Sequence, residues 1–185
     1  MDFDHVIDHV LGQFDKADLR YALIGGLAMA MRGVQRATVD LDLLLLMDDL
    51  ESADNILRHA GYERFFQSEN VSHYRSKTDE LGRIDILHAF RTPSLGMLDR
   101  AGQLTIKDGR TIPVLQTEDI IGLKIQSATN DPQRERQDWL DIELLLQAAA
   151  HQGQSIDWVL IQDYLQIFQL EHRLPDMQHW YGKTD

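Results

Sequence analysis

The chain of 185 residues has no cysteine, which excludes a disulfide framework, a thiolate zinc site and a thiol nucleophile, and is compatible with a reducing cytoplasm. Its first residues, Met1-Asp2-Phe3-Asp4, carry no basic stretch of the kind that opens a secretion signal. The longest apolar run, Leu41 to Met47, is broken by Asp42 and is far too short to span a bilayer, so no membrane association is expected. Gly-x-Gly-x-x-Gly does not occur, and Gly-Lys-Thr stands only at Gly182-Lys183-Thr184, with Met177 where a Walker loop has its first glycine, so nothing points to a dinucleotide fold or a Walker loop. Internal repeats and low-complexity tracts are also missing. Positive charge is scarce: the formal net charge of −12 argues against a globally basic nucleic-acid coat. The deficit is uneven, since residues 1 to 60 carry five Lys or Arg against eleven acids and residues 61 to 150 carry eleven against fourteen, so a local basic patch can still meet a polynucleotide.

What the chain has is enough apolar material, 43% of its residues, to bury a proper core in one compact unit with a helical extension. Ile24-Gly25-Gly26 is followed, after thirteen residues, by Asp40-Leu41-Asp42-Leu43, and a third acid stands inside Arg83-Ile84-Asp85-Ile86-Leu87. Three carboxylates bordered by strand-forming hydrophobes resist burial as anions unless a cation gathers them. Residues two apart on a strand share a face, which puts the Cα atoms of Asp40 and Asp42 roughly 6.6 Å apart. Both can reach the same ions, and Asp85 completes the set if its strand lies alongside. Oxygen donors in an incomplete cage suit Mg²⁺, which keeps waters and substrate phosphates in its shell. Tyr21 to Ile24 reads as a buried strand, Gly25-Gly26 as a turn and Leu27 to Met31 as a short helix, so free backbone N–H groups collect at the glycines and make an anion site.

This combination resembles the DNA polymerase β-like nucleotidyltransferase superfamily, whose signature is a hydrophobic residue, Gly, Gly or Ser, a spaced acid-hydrophobic-acid pair and a later acid on a neighbouring strand. Arg36-x-Thr38-x-Asp40-x-Asp42 looks most like small prokaryotic members that include the nucleotidyltransferase toxins of type IV toxin-antitoxin systems. The resemblance implies an α+β fold with a mixed sheet flanked by helices, followed by a C-terminal helical segment. It implies a cytoplasmic enzyme that moves a nucleoside monophosphate from a nucleoside triphosphate such as ATP to an acceptor hydroxyl. Two Mg²⁺ ions would be held by Asp40, Asp42 and Asp85, with Asp85 also taking the hydroxyl proton. Gly25 and Gly26 would carry the phosphates, and Arg36 and Lys124 would contact the nucleotide. An RNA, foremost the 3′ end of a transfer RNA, is the expected acceptor, with a cognate antitoxin protein as partner. An aminoglycoside-like small molecule, a protein Tyr or Ser, and a catalytically silent nucleotide- or partner-binding module are the alternatives. Two features depart from the pattern: the helical segment is short for such a toxin, and Gly26 replaces the serine of many members.

Further elements follow from periodicity. Phe3, Val6, Ile7, Val10, Leu11 and Phe14 give an amphipathic first helix. A second helix starts at Asp48 or Asp49, buries Leu50, Ala53, Ile56 and Leu57, and stops at Gly61. Strands are expected over Tyr62 to Phe66, Val71 to Lys77 and Arg83 to Ala89, with a hairpin over Leu104 to Ile112 turning at Asp108-Gly109. Helices then start at Thr117, at Asp131-Pro132 and at Ser155, so we divide the chain into a core of residues 1–116 and a helical segment of residues 117–185 packed on it. Lys124 stands conspicuously in an otherwise apolar helix, where it either meets the triphosphate or snorkels to solvent. Arg134, Asp138 and Asp141 share one helix face; surface pairing explains Arg134 with Asp138 adequately, and the resemblance offers a supporting role at the site as the alternative. His5 and His9 lie one turn apart, and with no third ligand in view they read as a solvated face.

Overall fold

The computed structural model describes residues 3–35, 37–76, 81–106 and 109–183. The fold is α+β, with seven strands in one mixed sheet and a helical C-terminal segment. Two compact units make up the chain: Met1–Leu27 with Ala37–Leu115, and Ala28–Arg36 with Gln116–Asp185.

The first unit holds the sheet. Its strands are β1 (Tyr21–Ile24), β2 (Asp40–Leu46), β3 (Tyr62–Gln67), β4 (Val71–Ser76), β5 (Arg83–Ala89), β6 (Gly102–Thr105) and β7 (Thr111–Val114). They lie in the order β3-β4-β5-β2-β1-β7-β6. Most neighbours are antiparallel, but β5 runs parallel to β2 and β7 parallel to β1. Those two parallel pairs need crossovers, and the crossover after β5 is a helix that the sequence pattern did not disclose, α5 (Thr92–Arg100). Pro93 and Gly96 make this stretch look like a loop. It is started by Ser94, whose Oγ accepts from the Arg91 N–H at 3.2 Å and donates to the Arg91 carbonyl at 2.9 Å.

Alternation along the strands separates the two faces of the sheet. Leu41, Leu43, Ile84, Ile86, Ser72 and Tyr74 are fully buried on one face, against which α4 (Leu50–His59) and α5 pack. Burial presses the Tyr74 hydroxyl pKa up to about 12, and the same hydroxyl donates to Asp54 on α4 at 3.1 Å. The other face carries Asp40 and Asp42 on β2, Arg83 and Asp85 on β5, His73 and Arg75 on β4, and Glu63 on β3, all at least partly exposed. Gly61 ends α4 at φ +90°, a conformation that favours glycine, as its place after the last apolar residue predicts.

The N-terminal stretch is helical in three pieces, α1 (Phe3–Val6), a π-helical turn (Ile7–Leu11) and α2 (Gly12–Lys16), which bury Val6, Ile7, Val10, Leu11 and Phe14. His5 and His9 stack at 4.1 Å, and His9 Nδ1 donates to the His5 carbonyl at 3.0 Å. The helix after β1, α3 (Gly25–Met31), includes the two glycines in its first turn rather than following them. The strands β6 and β7 pair as a hairpin, from Gly102 opposite Val114 to Thr105 opposite Thr111. Asp108 of its expected turn, like Lys77 at the end of β4, lies outside the described residues.

The second unit contains α6 (Thr117–Asn130), α7 (Glu135–His151), α8 (Trp158–Ile167) and α9 (Leu174–Gly182). The second helix starts at Glu135 and not at Pro132, because the Asp131 carboxylate accepts from the Gln133 N–H at 3.0 Å and holds a turn there. The expected final helix from Ser155 is two helices. Asp157 caps α8 through the N–H groups of Val159 and Leu160, and the chain breaks after Ile167 where Gln169 takes φ +58°. Packing of α8 on α6 requires Gly122, since a Cβ there would stand 2.7 Å from the Tyr164 ring. Among the described residues, no helix is long and apolar enough to cross a membrane.

Candidate active site

The acid-rich strands bring two of the three expected carboxylates side by side. Asp42 is the register partner of Asp85 across the parallel β2–β5 pair, and Asp40 faces Arg83 one row further along. Partners in register lie on the same face, so all three acids project from the open side of the sheet.

The glycines are built around these acids. Gly25 has φ +63°, and a Cβ on it would overlap the Asp42 carboxylate, with 2.6 Å to Cγ. The first residue of α3 is therefore glycine for two independent reasons, a left-handed backbone and direct packing on Asp42. Gly26 meets Thr38 in the same way: a Cβ would stand 2.8 Å from Thr38 Cβ and 2.9 Å from its Oγ1. Thr38 Oγ1 in turn donates to the Asp40 carbonyl at 3.0 Å, so the space a serine would need at position 26 is taken by the side chain that ties down the start of β2. That accounts physically for the departure from the serine of many nucleotidyltransferases.

Asp85 has neighbours that the chain's linear pattern did not show. His73, its register partner on β4, donates from Nδ1 to Asp85 Oδ1 at 2.7 Å, and Arg83 approaches the same oxygen at 3.6 Å. Both contacts fall on Oδ1, which leaves Oδ2 as the second donor. The only advance signal for His73 was its alternation with Val71 and Arg75 on an expected strand; its partner depends on register.

Among the described residues, no three His, Asp or Glu side chains converge as a preassembled ion cage. The donor chemistry nonetheless fits Mg²⁺: three carboxylates on one face of the sheet, one of them cradled by a glycine. These residues fit the group in kind, and an ion would have to draw Asp85 into the set against its contacts with His73 and Arg83.

Arg36 and Lys124 are the two other expected nucleotide contacts. Arg36 lies outside the described residues. Lys124, on α6 in the helical unit, neither reaches solvent nor stands unpaired. It is 8% exposed, and its Nζ donates to Asp138 Oδ1 at 2.8 Å and meets Asp141 Oδ2 at 2.6 Å. Asp138 and Asp141 are fully buried, which corrects the reading of a surface pair; Arg134 Nε comes only to 3.6 Å from Asp138 Oδ2, an oxygen with no hydrogen bond among the described residues. Gln137 adds a bond to Asp141 Oδ1 at 2.9 Å. Facing polar residues also escaped the sequence pattern in Tyr164, whose hydroxyl donates to the buried Asp119 at 2.7 Å.

No protein-family model matches the chain, and no curated protein matches it by sequence. Solved structures do. The antibiotic-resistance factor ANT(2'')-Ia in solution is similar with a TM-score of 0.64 at 19% identity, over 97% of this chain and 98% of that one. A crystal structure of ANT(2'')-Ia in complex with adenylyl-2''-tobramycin gives 0.65 at 15% identity, over 91% and 97%. The lincosamide antibiotic adenylyltransferase LnuA, lincomycin-bound, gives 0.56 at 19% identity, over 75% and 93%. With Gly25 seated on Asp42 and Asp42 beside Asp85, the chain has the fold of the nucleotidyltransferases.

Proposed function

We propose that the chain is a cytoplasmic, Mg²⁺-dependent nucleotidyltransferase that moves a nucleoside monophosphate from a nucleoside triphosphate to an acceptor hydroxyl. The observation that carries this reading is the packing of Gly25 on the Asp42 carboxylate with Asp42 in register beside Asp85. Gly25 and Gly26 present backbone without side chains, so a triphosphate can come close to the strand that bears the acids. Asp85 accepts the proton of the attacking hydroxyl, whose oxygen bonds to the α-phosphorus as the bond to the β-phosphate oxygen breaks and pyrophosphate departs. Two Mg²⁺ ions held by Asp40, Asp42 and Asp85 would neutralise the charge that develops on the attacking and leaving oxygens. The hydrogen bond from His73 restrains the Asp85 carboxylate while it does so.

An RNA 3′ end, foremost that of a transfer RNA, is the first acceptor, with an antitoxin protein as the accompanying regulator; the Arg36-x-Thr38-x-Asp40-x-Asp42 pattern supports it. A small polycationic alcohol is the second reading. It draws on the near complete match in length to ANT(2'')-Ia, solved with adenylyl-2''-tobramycin, and on the net charge of −12, which attracts cations.

The test is to incubate the chain with Mg²⁺ and each α-labelled nucleoside triphosphate, offering total RNA, an aminoglycoside panel and a cell lysate, with Asp42→Asn as control. Label in RNA that vanishes in the variant supports the first reading, and label confined to aminoglycosides supports the second. No transfer to anything, with nucleotide still bound, would mean a silent module.

A further inference from the structure

The open face of the sheet continues beyond Asp85 into a patch that the transfer chemistry does not use. Register carries one row across four strands: Asp42 on β2, Asp85 on β5, His73 on β4 and Phe66 on β3. A second row, two residues away on the same face, runs Asp40, Arg83, Arg75 and Glu63. Strand β3 is irregular between Arg64 and Phe66, where its register on β4 shifts. Such a bulge sets two residues opposite one and re-aims their side chains. Phe65 and Phe66, consecutive in the chain, consequently both lie against the His73 ring, with centroids 5.9 and 5.2 Å away and planes within 30° of it. In a regular strand they would point to opposite faces.

The two rings remain 45% and 48% exposed. They are among the few large apolar side chains left in solvent, and they are flanked by cations. The guanidinium of Arg83 stands 5.3 Å from the Phe65 centroid and that of Arg75 stands 5.7 Å from it, both within the range of a cation–π contact. Arg75 also pairs with Glu63 at 2.6 Å. Exposed aromatic faces edged by arginines are what single-stranded nucleic acid uses, since every base has a π-face and every linkage a negative charge.

We propose that Phe65, Phe66, Arg75 and Arg83 form an acceptor-binding platform for the 3′-terminal nucleotides of a single-stranded RNA, with bases stacked on the phenylalanines and phosphates on the arginines. This rests on the nucleotidyl-transfer reading and selects its acceptor. The geometry is consistent with delivery of a hydroxyl: β3 lies two strands from β5, roughly 10 Å, so an RNA whose 3′ end reaches Asp85 lays its preceding nucleotides across β4 and β3. The bulge then has a use, because it doubles the stacking surface at the only place on the row where the sheet ends.

The experiment uses the full chain, a fluorescein-labelled single-stranded RNA octamer with a free 3′ hydroxyl, and fluorescence anisotropy, with Mg²⁺-dependent ATP binding measured beside it by calorimetry. Phe65→Ala with Phe66→Ala is expected to raise the octamer Kd about tenfold or more, and ATP affinity should not change. Phe66→Trp, which keeps a stacking surface, should bind within about threefold of the parent. Arg75→Gln should reduce the slope of log Kd against log salt by about 0.7 for each lost phosphate contact, a change that a merely structural role would not produce. Octamer binding that is absent in the parent, or unchanged in the double alanine variant, overturns the platform. So does label transfer to an aminoglycoside or to a protein that is equally efficient in both. ATP binding without RNA binding sinks the platform alone, whereas RNA binding that depends on the phenylalanines without any ATP binding sinks the transferase reading and leaves the platform standing.

Discussion

Two sets of aspartates in this chain meet opposite fates. On the open face of the sheet, Asp40, Asp42 and Asp85 stand on strands whose alternate residues are wholly buried, and their carboxylates keep contact with the surface. Inside the helical unit, Asp138 and Asp141 are buried completely and grip Lys124 between them. The same residue type is displayed in the first case and internally neutralised in the second. Two buried carboxylates face one ammonium, and Arg134 Nε stands 3.6 Å from Asp138. A cluster of this kind holds helices in register and is weak evidence for stability in itself, because desolvation consumes much of the Coulombic gain. The acid set of the sheet is partly exposed, with Gly25 packed against Asp42, and the partner we propose for it is a ligand. Lys124, conspicuous in the sequence, is held by two buried aspartates and so belongs to the architecture of the helical unit.

The sharpest way to break this contrast is to remove one acid from each set. Asp42→Asn should keep the fold and reduce nucleotidyl transfer by about 10²- to 10³-fold, the loss typical when a group that stabilises transition-state charge is deleted. Single-turnover transfer of labelled nucleotide, paired with a thermal melt, would check both halves of that statement. Lys124→Met should do the reverse and destabilise the chain by about 3–5 kcal/mol, since it strands two buried carboxylates. Urea denaturation measures this, and the triple change Lys124→Met, Asp138→Asn, Asp141→Leu should recover much of the loss. Unaltered stability in Lys124→Met with weakened ATP binding would overturn the structural assignment and return the lysine to the nucleotide.

A smaller effect is expected at the glycine that joins the acid set to the backbone. Gly25→Ala forces a side chain into a left-handed conformation and into Asp42, so it should cost about 1–3 kcal/mol and also depress transfer. Gly26→Ser should cost a similar amount, about 1–3 kcal/mol, by overpacking Thr38.

The smallest expected effect concerns pH. His88 is 3% exposed, and burial outweighs its backbone hydrogen bond in lowering its pKa from the ordinary value of 6.5. Its Nδ1 donates to the Glu69 carbonyl at 2.8 Å, which assigns Nε2 as acceptor from the Ser72 hydroxyl at 3.0 Å and the ring as neutral. The unfolded chain binds the extra proton more readily, so this contribution is fully present above pH 6.5 and is lost as pH falls below it. The slope cannot exceed about 1.4 kcal/mol per pH unit. Melting curves between pH 7.5 and 5 should show the decline, reduced in His88→Gln.

Much of the core was readable from local pattern. The alternation in Arg83-Ile84-Asp85-Ile86-Leu87 marks a strand that buries one face only, and its bounds in the structure, Arg83–Ala89, are those the pattern predicts. Gly61 as a helix stop and the paired strands around residues 102–114 follow from local chemistry in the same way. By contrast, α5 was hidden because Pro93 and Gly96 read as loop residues, although proline suits the first turn of a helix. The division of the last segment into α8 and α9 was hidden as well, since its apolar periodicity runs on past the break at Gln169.

The sequence by itself singled out the residues proposed to carry chemistry here: Gly25, Gly26, Asp40, Asp42 and Asp85 stand out by type and spacing, because strand alternation and glycine's freedom act over a few residues. Only the tertiary structure decided who stands next to whom. Register placed Asp85 between Asp42 and His73, a bulge turned Phe65 and Phe66 to one side, and helix packing delivered two aspartates to Lys124. Those pairings join residues 7 to 43 positions apart, and a slip of one residue would send each side chain to the other face. That is information carried by the whole folded core and not by any local stretch of chain.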